Sequence, residues 1–320
     1  MSEFDLIAHY FTRPDHSTPS VVLGIGDDCA LLQPARHLQV ISTDMLVEGR
    51  HFLAGANPFA LGHKCLAVNL SDLAAMGAKP VGFTLALSLP SVDEAWLQGF
   101  SAGLFALADQ HGCTLVGGDT TKGPLVICIT VFGEVTAEGA LRRDAAQAGD
   151  DLWVSGTLGD ARLALAYRRG EIDQDSQSLA LAAPRMDMPT PRVALGMALT
   201  GIARAAIDIS DGLGGDLKHI LSRSSVGATL NIDMLPAGPA LATQSPDLRR
   251  EYCLAGGDDY ELCFTAPVAQ RAAVLEAASS AQTAVTRIGQ IDSVPGLRIS
   301  DSEGRALTLS FPSFDHFTTP

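Results

Sequence analysis

The stretch AIDISDGLGGDL at 206–217 places two carboxylates, Asp208 and Asp211, where a short apolar run gives way to a glycine-rich segment. Residues 205–209 read as a strand, and 217–224, with apolar side chains at helical spacing, as a helix. A strand that ends in acids and leads through glycines to a helix belongs to a mixed α/β architecture. The backbone N–H groups of 212–215 would then sit where phosphate oxygens can meet them. Asp208 and Asp211 become two points on one turn, although Asp211 taken alone reads equally well as a helix N-cap.

The same motif recurs along the chain. LGIGDDC (23–29), ISTD (41–44), VNLSD (68–72), LVGGDTT (115–121) and AGGDDYEL (255–262) each set acids beside Gly, Ser or Thr at the end of an apolar run. A single such segment is an ordinary solvated turn or cap. Six of them form a set of hard oxygen donors, the kind that Mg²⁺ takes together with water and substrate phosphates. Asn69 and Asp72 lie three apart in a predicted helix over 58–76 and would face one site together.

Around these segments, short β-branched runs alternate with longer Ala- and Leu-rich ones, as in an α/β or α+β fold. Strands are predicted at 21–23, 38–42, 82–89, 114–116, 126–135, 152–155, 228–232, 261–265 and 286–290, and helices at 3–11, 92–111, 161–169 and 191–199. A shift to Ala, Gly and charge near 136–151 divides the chain into domains of 1–137 and 138–320.

A net charge of −14 over 320 residues disfavours a nucleic-acid surface, which needs clustered Lys and Arg. The longest weakly polar stretch, about 80–92, is broken by Pro90 and falls short of the roughly 20 residues of a membrane span. The acidic start MSEFDLIAHYF lacks the features of a secretory signal, so cytoplasmic residence is expected. Six cysteines without a C-x-x-C pair, Cys29 among them, are expected as buried free thiols. No G-x-x-x-x-G-K-[ST] loop, no H-R-D with D-F-G and no G-x-S-x-G elbow is present.

Read in order, GIGDDCALL (24–32), ISTDMLVEGRHF (41–52), KCLAVNLSDLAAMGAKP (64–80), GGDTTKGPL (117–125), AIDISDGLGGDL (206–217) and GGDDYELCFT (256–265) resemble the thiamine-monophosphate kinase family. That family belongs to the wider aminoimidazole ribonucleotide synthetase-like superfamily. The resemblance implies a two-domain fold in which the N-terminal ATP- and Mg-binding sheet pairs across a homodimer, and a C-terminal α/β domain completes the active site. It implies several Mg²⁺ ions held by Asp28, Asp44, Asp72, Asp119, Asp208 and Asp211 with Ser42 and Thr43. It also implies ATP contacts from Gly118, Arg143 and Ser210, and thiamine monophosphate contacts from His51, Asp258 and Phe314. Asp258 stands where the family often has Glu, one methylene longer.

The implied reaction is direct transfer of the ATP γ-phosphoryl group to thiamine monophosphate, giving thiamine diphosphate and ADP with no covalent protein nucleophile. Two other readings use the same residues: an ATP-dependent synthetase of the same superfamily acting on a ribonucleotide, and a non-catalytic Mg-nucleotide sensor.

Overall fold

The computed structural model describes residues 3–13, 18–25, 29–33, 37–136, 138–173 and 175–307. They fall into two compact units, one within 1–73 and 78–137, the other within 74–77 and 138–320.

The first unit contains α1 (Glu3–Tyr10), β1 (Val21–Leu23), β2 (Leu31–Leu32), β3 (Leu38–Val47), α2 (Pro58–Ala75), β4 (Lys79–Leu89), α3 (Glu94–His111), β5 (Thr114–Lys122) and β6 (Val126–Val135). Its main sheet runs β3-β6-β4-β5, with only the β4–β5 pair parallel. Side chains alternate across it, as strand geometry requires. Ile127, Ile129 and Val131 of β6 and Phe83, Leu85 and Leu87 of β4 are buried on one face. The opposite face of β3 leaves Ile41 and Met45 more than half exposed. Their register partners on β6, Phe132 and Cys128, continue that face. Helix α3 starts where Asp93 accepts the N–H groups of Ala95 and Trp96, and stops at Gly112 in the left-handed conformation.

The second unit contains β7 (Asp151–Ser155), α4 (Asp160–Arg169), α5 (Ser176–Asp187), α6 (Val193–Ala198), β8 (Ala205–Asp208), α7 (Leu213–Ser224), β9 (Gly227–Asn231), α8 (Pro246–Ala255), β10 (Leu262–Ala266), α9 (Arg271–Ser280), β11 (Val285–Asp292), β12 (Gly296–Ser300) and β13 (Ala306–Leu307). The sheet order is β13-β12-β9-β11-β7-β10-β8, antiparallel except for β12 beside β9. Strands β7, β8 and β10 are buried at every position, so this part of the sheet is covered on both faces.

Two of the acidic segments expected as turns lie inside strands: ISTD belongs to β3, where Ser42 to Asp44 pair with Val131 to Ile129, and LVGGDTT continues β5, whereas VNLSD lies inside α2, as the predicted helix over 58–76 requires. In β5, Gly117 and Gly118 mimic a turn in the sequence, but sheet pairing carries the strand through them. Gly118 has φ +154°, and a Cβ there would sit 1.8 Å from the Leu85 carbonyl oxygen, so the close approach of two strands requires glycine. Helix α7 begins at Leu213, which puts most of the expected 212–215 loop into its first turn. Cys29 is exposed and Cys128 only half-buried, whereas Cys65, Cys113, Cys253 and Cys263 are buried, all as free thiols. Among the described residues, no helix is long and apolar enough to cross a membrane.

Candidate active site

In the first unit, strand alternation aims Ser42 and Asp44 at the helix-covered face, and α2 answers with Asn69 and Asp72 one turn apart. Ser42 Oγ donates to Asp72 Oδ2. The Asp44 N–H donates to Asn69 Oδ1 at 3.2 Å, and Asn69 Nδ2 donates to the Cys65 carbonyl at 2.9 Å. Asn69 is fully buried, so these bonds hold its amide in place. Burial first, and then the negative charge of Asp72, pushes the Asp44 carboxyl up to about 7. Two carboxylates and a hydroxyl thus meet at a point that favours an added cation.

Thr43 points to the opposite face, where its Oγ1 lies 2.8 Å from Thr130 Oγ1. Asp119 is exposed, and its register partner Ala86 is exposed too, two strands away from β3 in the sheet order. The structure therefore does not bring Asp119 into the Ser42–Asp44–Asp72 cluster. Among the described residues, no group of three or more His, Cys, Asp or Glu side chains gathers to hold a metal ion. After β3 the chain turns at Gly49, and His51 Nδ1 accepts the Val47 N–H at 3.0 Å. With Nδ1 occupied as an acceptor, neutral His51 carries its proton on Nε2. Asp28 and Phe314 lie outside the described residues.

In the second unit, Asp208 closes β8 and is 5% exposed, followed by the turn of Ser210 and Asp211. Sequence reasoning missed what holds that turn. Asp216, in the first turn of α7, accepts both the Ser210 and the Asp211 N–H through Oδ2 at 3.1 Å. Burial, and next the charge of Asp211, raises Asp216 to about 7, while these N–H donors and the Arg143 charge act in the opposite direction. The other end of α7 reaches the Arg143 segment, where Ser224 Oγ donates to the Arg143 carbonyl at 2.9 Å and accepts the Ala146 N–H at 3.1 Å. One helix thus fixes both Ser210 and Arg143.

The segment 256–261 lies against the same turn. Asp258 N–H donates to the Ser210 carbonyl and Tyr260 N–H to the Ile209 carbonyl, both at 2.8 Å, and Ile209 N–H returns a bond to the Glu261 carbonyl. Under it, Glu261 is fully buried and accepts from Arg192 Nε and Nη2 at 2.6 and 2.5 Å, from Arg185 Nη2 at 2.6 Å and from Ser155 Oγ at 2.5 Å. Arg185 also donates to the Asp259 carbonyl at 3.0 Å. The Asp259 carboxylate accepts the Gly159 N–H, and its burial holds the carboxyl well above the usual carboxylate range. Asp208, Ser210, Asp211 and Asp258 thus stand on one hydrogen-bonded frame.

Residues 26–135 match the AIR synthase related protein N-terminal domain, and 147–302 match its C-terminal domain. The thiamine-monophosphate kinase of Salmonella typhimurium is 46% identical over 323 residues, spanning 99% of both chains. The chain belongs to the thiamine-monophosphate kinase family. A solved family structure from Stenotrophomonas maltophilia K279a shares 48% identity at a TM-score of 0.84, with 90% of this chain and 93% of that one covered. A second, AaThiL complexed with AMPPCP and TMP, shares 30% identity at a TM-score of 0.78 over 92% of each. Family membership gives the acidic segments of the two units a common chemical context, that of ATP-dependent phosphoryl transfer.

Proposed function

We propose that this chain phosphorylates thiamine monophosphate with ATP, yielding thiamine diphosphate and ADP. The observation that carries this reading is the end-to-end similarity to thiamine-monophosphate kinases, in a fold shared with a relative that holds AMPPCP and TMP. An oxygen of the acceptor phosphate attacks the γ-phosphorus. The new P–O bond forms as the bond to the β–γ bridging oxygen breaks, and ADP leaves with that electron pair. The acceptor is already ionised near neutral pH, so the protein's task is positioning rather than proton removal.

In this reading Arg143 offers a fork of N–H donors to ATP phosphate oxygens, and Ser210 and Gly118 are further ATP contacts. Asp216 and Ser224, through their backbone bonds, keep that side in register. His51, presenting Nε2–H, Asp258 and Phe314 receive the thiamine moiety. The residues fit magnesium: Ser42, Asp44 and Asp72 form a hard-oxygen cluster with repelling carboxylates, and Mg²⁺ uses one or two carboxylates completed by water and substrate phosphates. Asp28, Asp208 and Asp211 would supply further donors for several ions, and Thr43 and Asp119, which lie outside the Ser42–Asp44–Asp72 cluster, would serve separate ones. Bound magnesium would offset the charge of two converging polyanions.

Residues 1–137 would form the ATP/Mg-binding and dimerisation domain and 138–320 the domain that completes the site. The exposed face of Ile41 and Met45 suits a second copy of the same sheet, and hence a homodimer. A reaction that consumes ATP fits residence in the cytoplasm. Incubation with [γ-³²P]ATP, Mg²⁺ and thiamine monophosphate tests the proposal: label should appear in thiamine diphosphate and none on the denatured protein. Label retained by the protein would overturn direct transfer.

A further inference from the structure

Two non-glycine residues of the 256–261 segment have positive φ, Asp258 at 68° and Tyr260 at 49°. A bulky aromatic residue in this region is an outlier, and such conformations persist only where their surroundings over-determine them. Here the surroundings do so. Backbone bonds tie 258 and 260 to the Ser210 turn, and the buried Glu261 anchor follows at once. Asp259 points inward at 1% exposed, while Asp258 and Tyr260 on either side of it are half-buried. The double left-handed backbone has a chemical result: the Tyr260 hydroxyl donates to Asp258 Oδ1 at 3.0 Å.

We infer that Tyr260 is a positioning residue for the phosphoryl acceptor, its hydroxyl aiming the Asp258 carboxylate at the cationic thiamine moiety. The inference deepens the proposed function and rests on the acceptor role of Asp258. A hydroxyl donor fixes the carboxylate's orientation and keeps its negative charge, which is what a positively charged ring requires. A guanidinium in the same place would cancel that charge. The shorter reach of Asp at this position makes its direction matter more, because one methylene fewer leaves less freedom to find the ligand.

The test uses the full-length protein and three variants, Tyr260→Phe, Asp258→Asn and the double variant. Melting temperature, kcat and the KM values of both substrates are measured for each. Tyr260→Phe should raise the acceptor KM roughly 10-fold, the size expected for a hydrogen bond to a charged group. The KM for ATP, kcat and the melting temperature should stay close to wild type. Asp258→Asn should raise the acceptor KM at least as much, and the double variant should match Asp258→Asn because Tyr260 acts through that carboxylate. An unchanged acceptor KM in Tyr260→Phe, additive effects in the double variant, or a fall in melting temperature and kcat without a KM shift would each overturn the role. An unchanged acceptor KM in Asp258→Asn removes the premise and the inference with it. Wild-type turnover of thiamine monophosphate, run alongside, separates either result from failure of the kinase reading.

Discussion

Replacing Arg192 by methionine removes two of the four side-chain hydrogen bonds that satisfy Glu261, a carboxylate with no exposed surface. Methionine keeps the apolar stem, so the loss falls on charge and hydrogen bonding rather than on packing. Each hydrogen bond to a charged group contributes about 1.5–3 kcal/mol. Two of them give about 3–6 kcal/mol, in line with the roughly 3–5 kcal/mol measured when one partner of a buried ion pair is removed. Arg185 and Ser155 remain to hold the carboxylate, which favours the lower half of that range. At about 2–4 °C per kcal/mol for a unit of this size, the melting temperature should fall by about 6–18 °C. Thermal denaturation followed by far-UV circular dichroism measures it. A fall below about 3 °C would refute the reasoning, because it would mean that the two Arg192 bonds contribute little to holding Glu261.

Other consequences concern the site, the strands and pH. Asp44→Asn removes the repulsion from Asp72, so without divalent ions its melting temperature should equal or exceed wild type, while turnover falls by at least about 100-fold; turnover near wild type at limiting Mg²⁺ would contradict the assignment. Gly118→Ala forces a methyl group to within 1.8 Å of the Leu85 carbonyl oxygen at φ +154°, and a lowered urea midpoint equivalent to about 1–3 kcal/mol is expected. An unchanged midpoint would show that the strands can part there. Asp151 is buried under Arg271 and Arg287, and its bond to Arg271 is the main influence holding its carboxyl below the ordinary value of 3.8. Its stabilising effect is therefore present above that value and lost as pH falls through the depressed one. The stability gap between wild type and Asp151→Asn, read from urea unfolding, should narrow steadily from about pH 5 to about pH 2; a constant gap would rule the ion pair out as its source.

Much of the fold was legible because its elements follow simple patterns. The alternation of 126–135 gave β6 with both ends correct, and the apolar spacing of 58–76 gave α2 to within one residue. Helix α5 was missed, and it carries Pro184 in its interior. Helix α8 had legible signals, Ser245 as N-cap and Pro246 at the first helical position, that went unread. Helix α9 has no side-chain cap to mark its start.

At the site, the i, i+3 spacing of Asn69 and Asp72 put both on one helix face, and the structure adds what that face meets, Ser42 and Asp44 of β3. The signal for Asp216 was also local, an acid in the first turn of a helix, but the start of α7 was placed four residues late. The Glu261 anchor was beyond reach. Its partners lie 69, 76 and 106 residues away in sequence, and nothing local in an arginine or a serine says which distant carboxylate it will meet.

The most direct test of the account is chromatographic separation of thiamine species after incubating the purified protein with Mg-ATP and thiamine monophosphate, with ADP quantified in parallel. The account predicts thiamine diphosphate and ADP in equal amounts, both absent without the protein. Thiamine monophosphate left intact while ATP binds would contradict it, leaving the fold in place but removing the kinase activity from it.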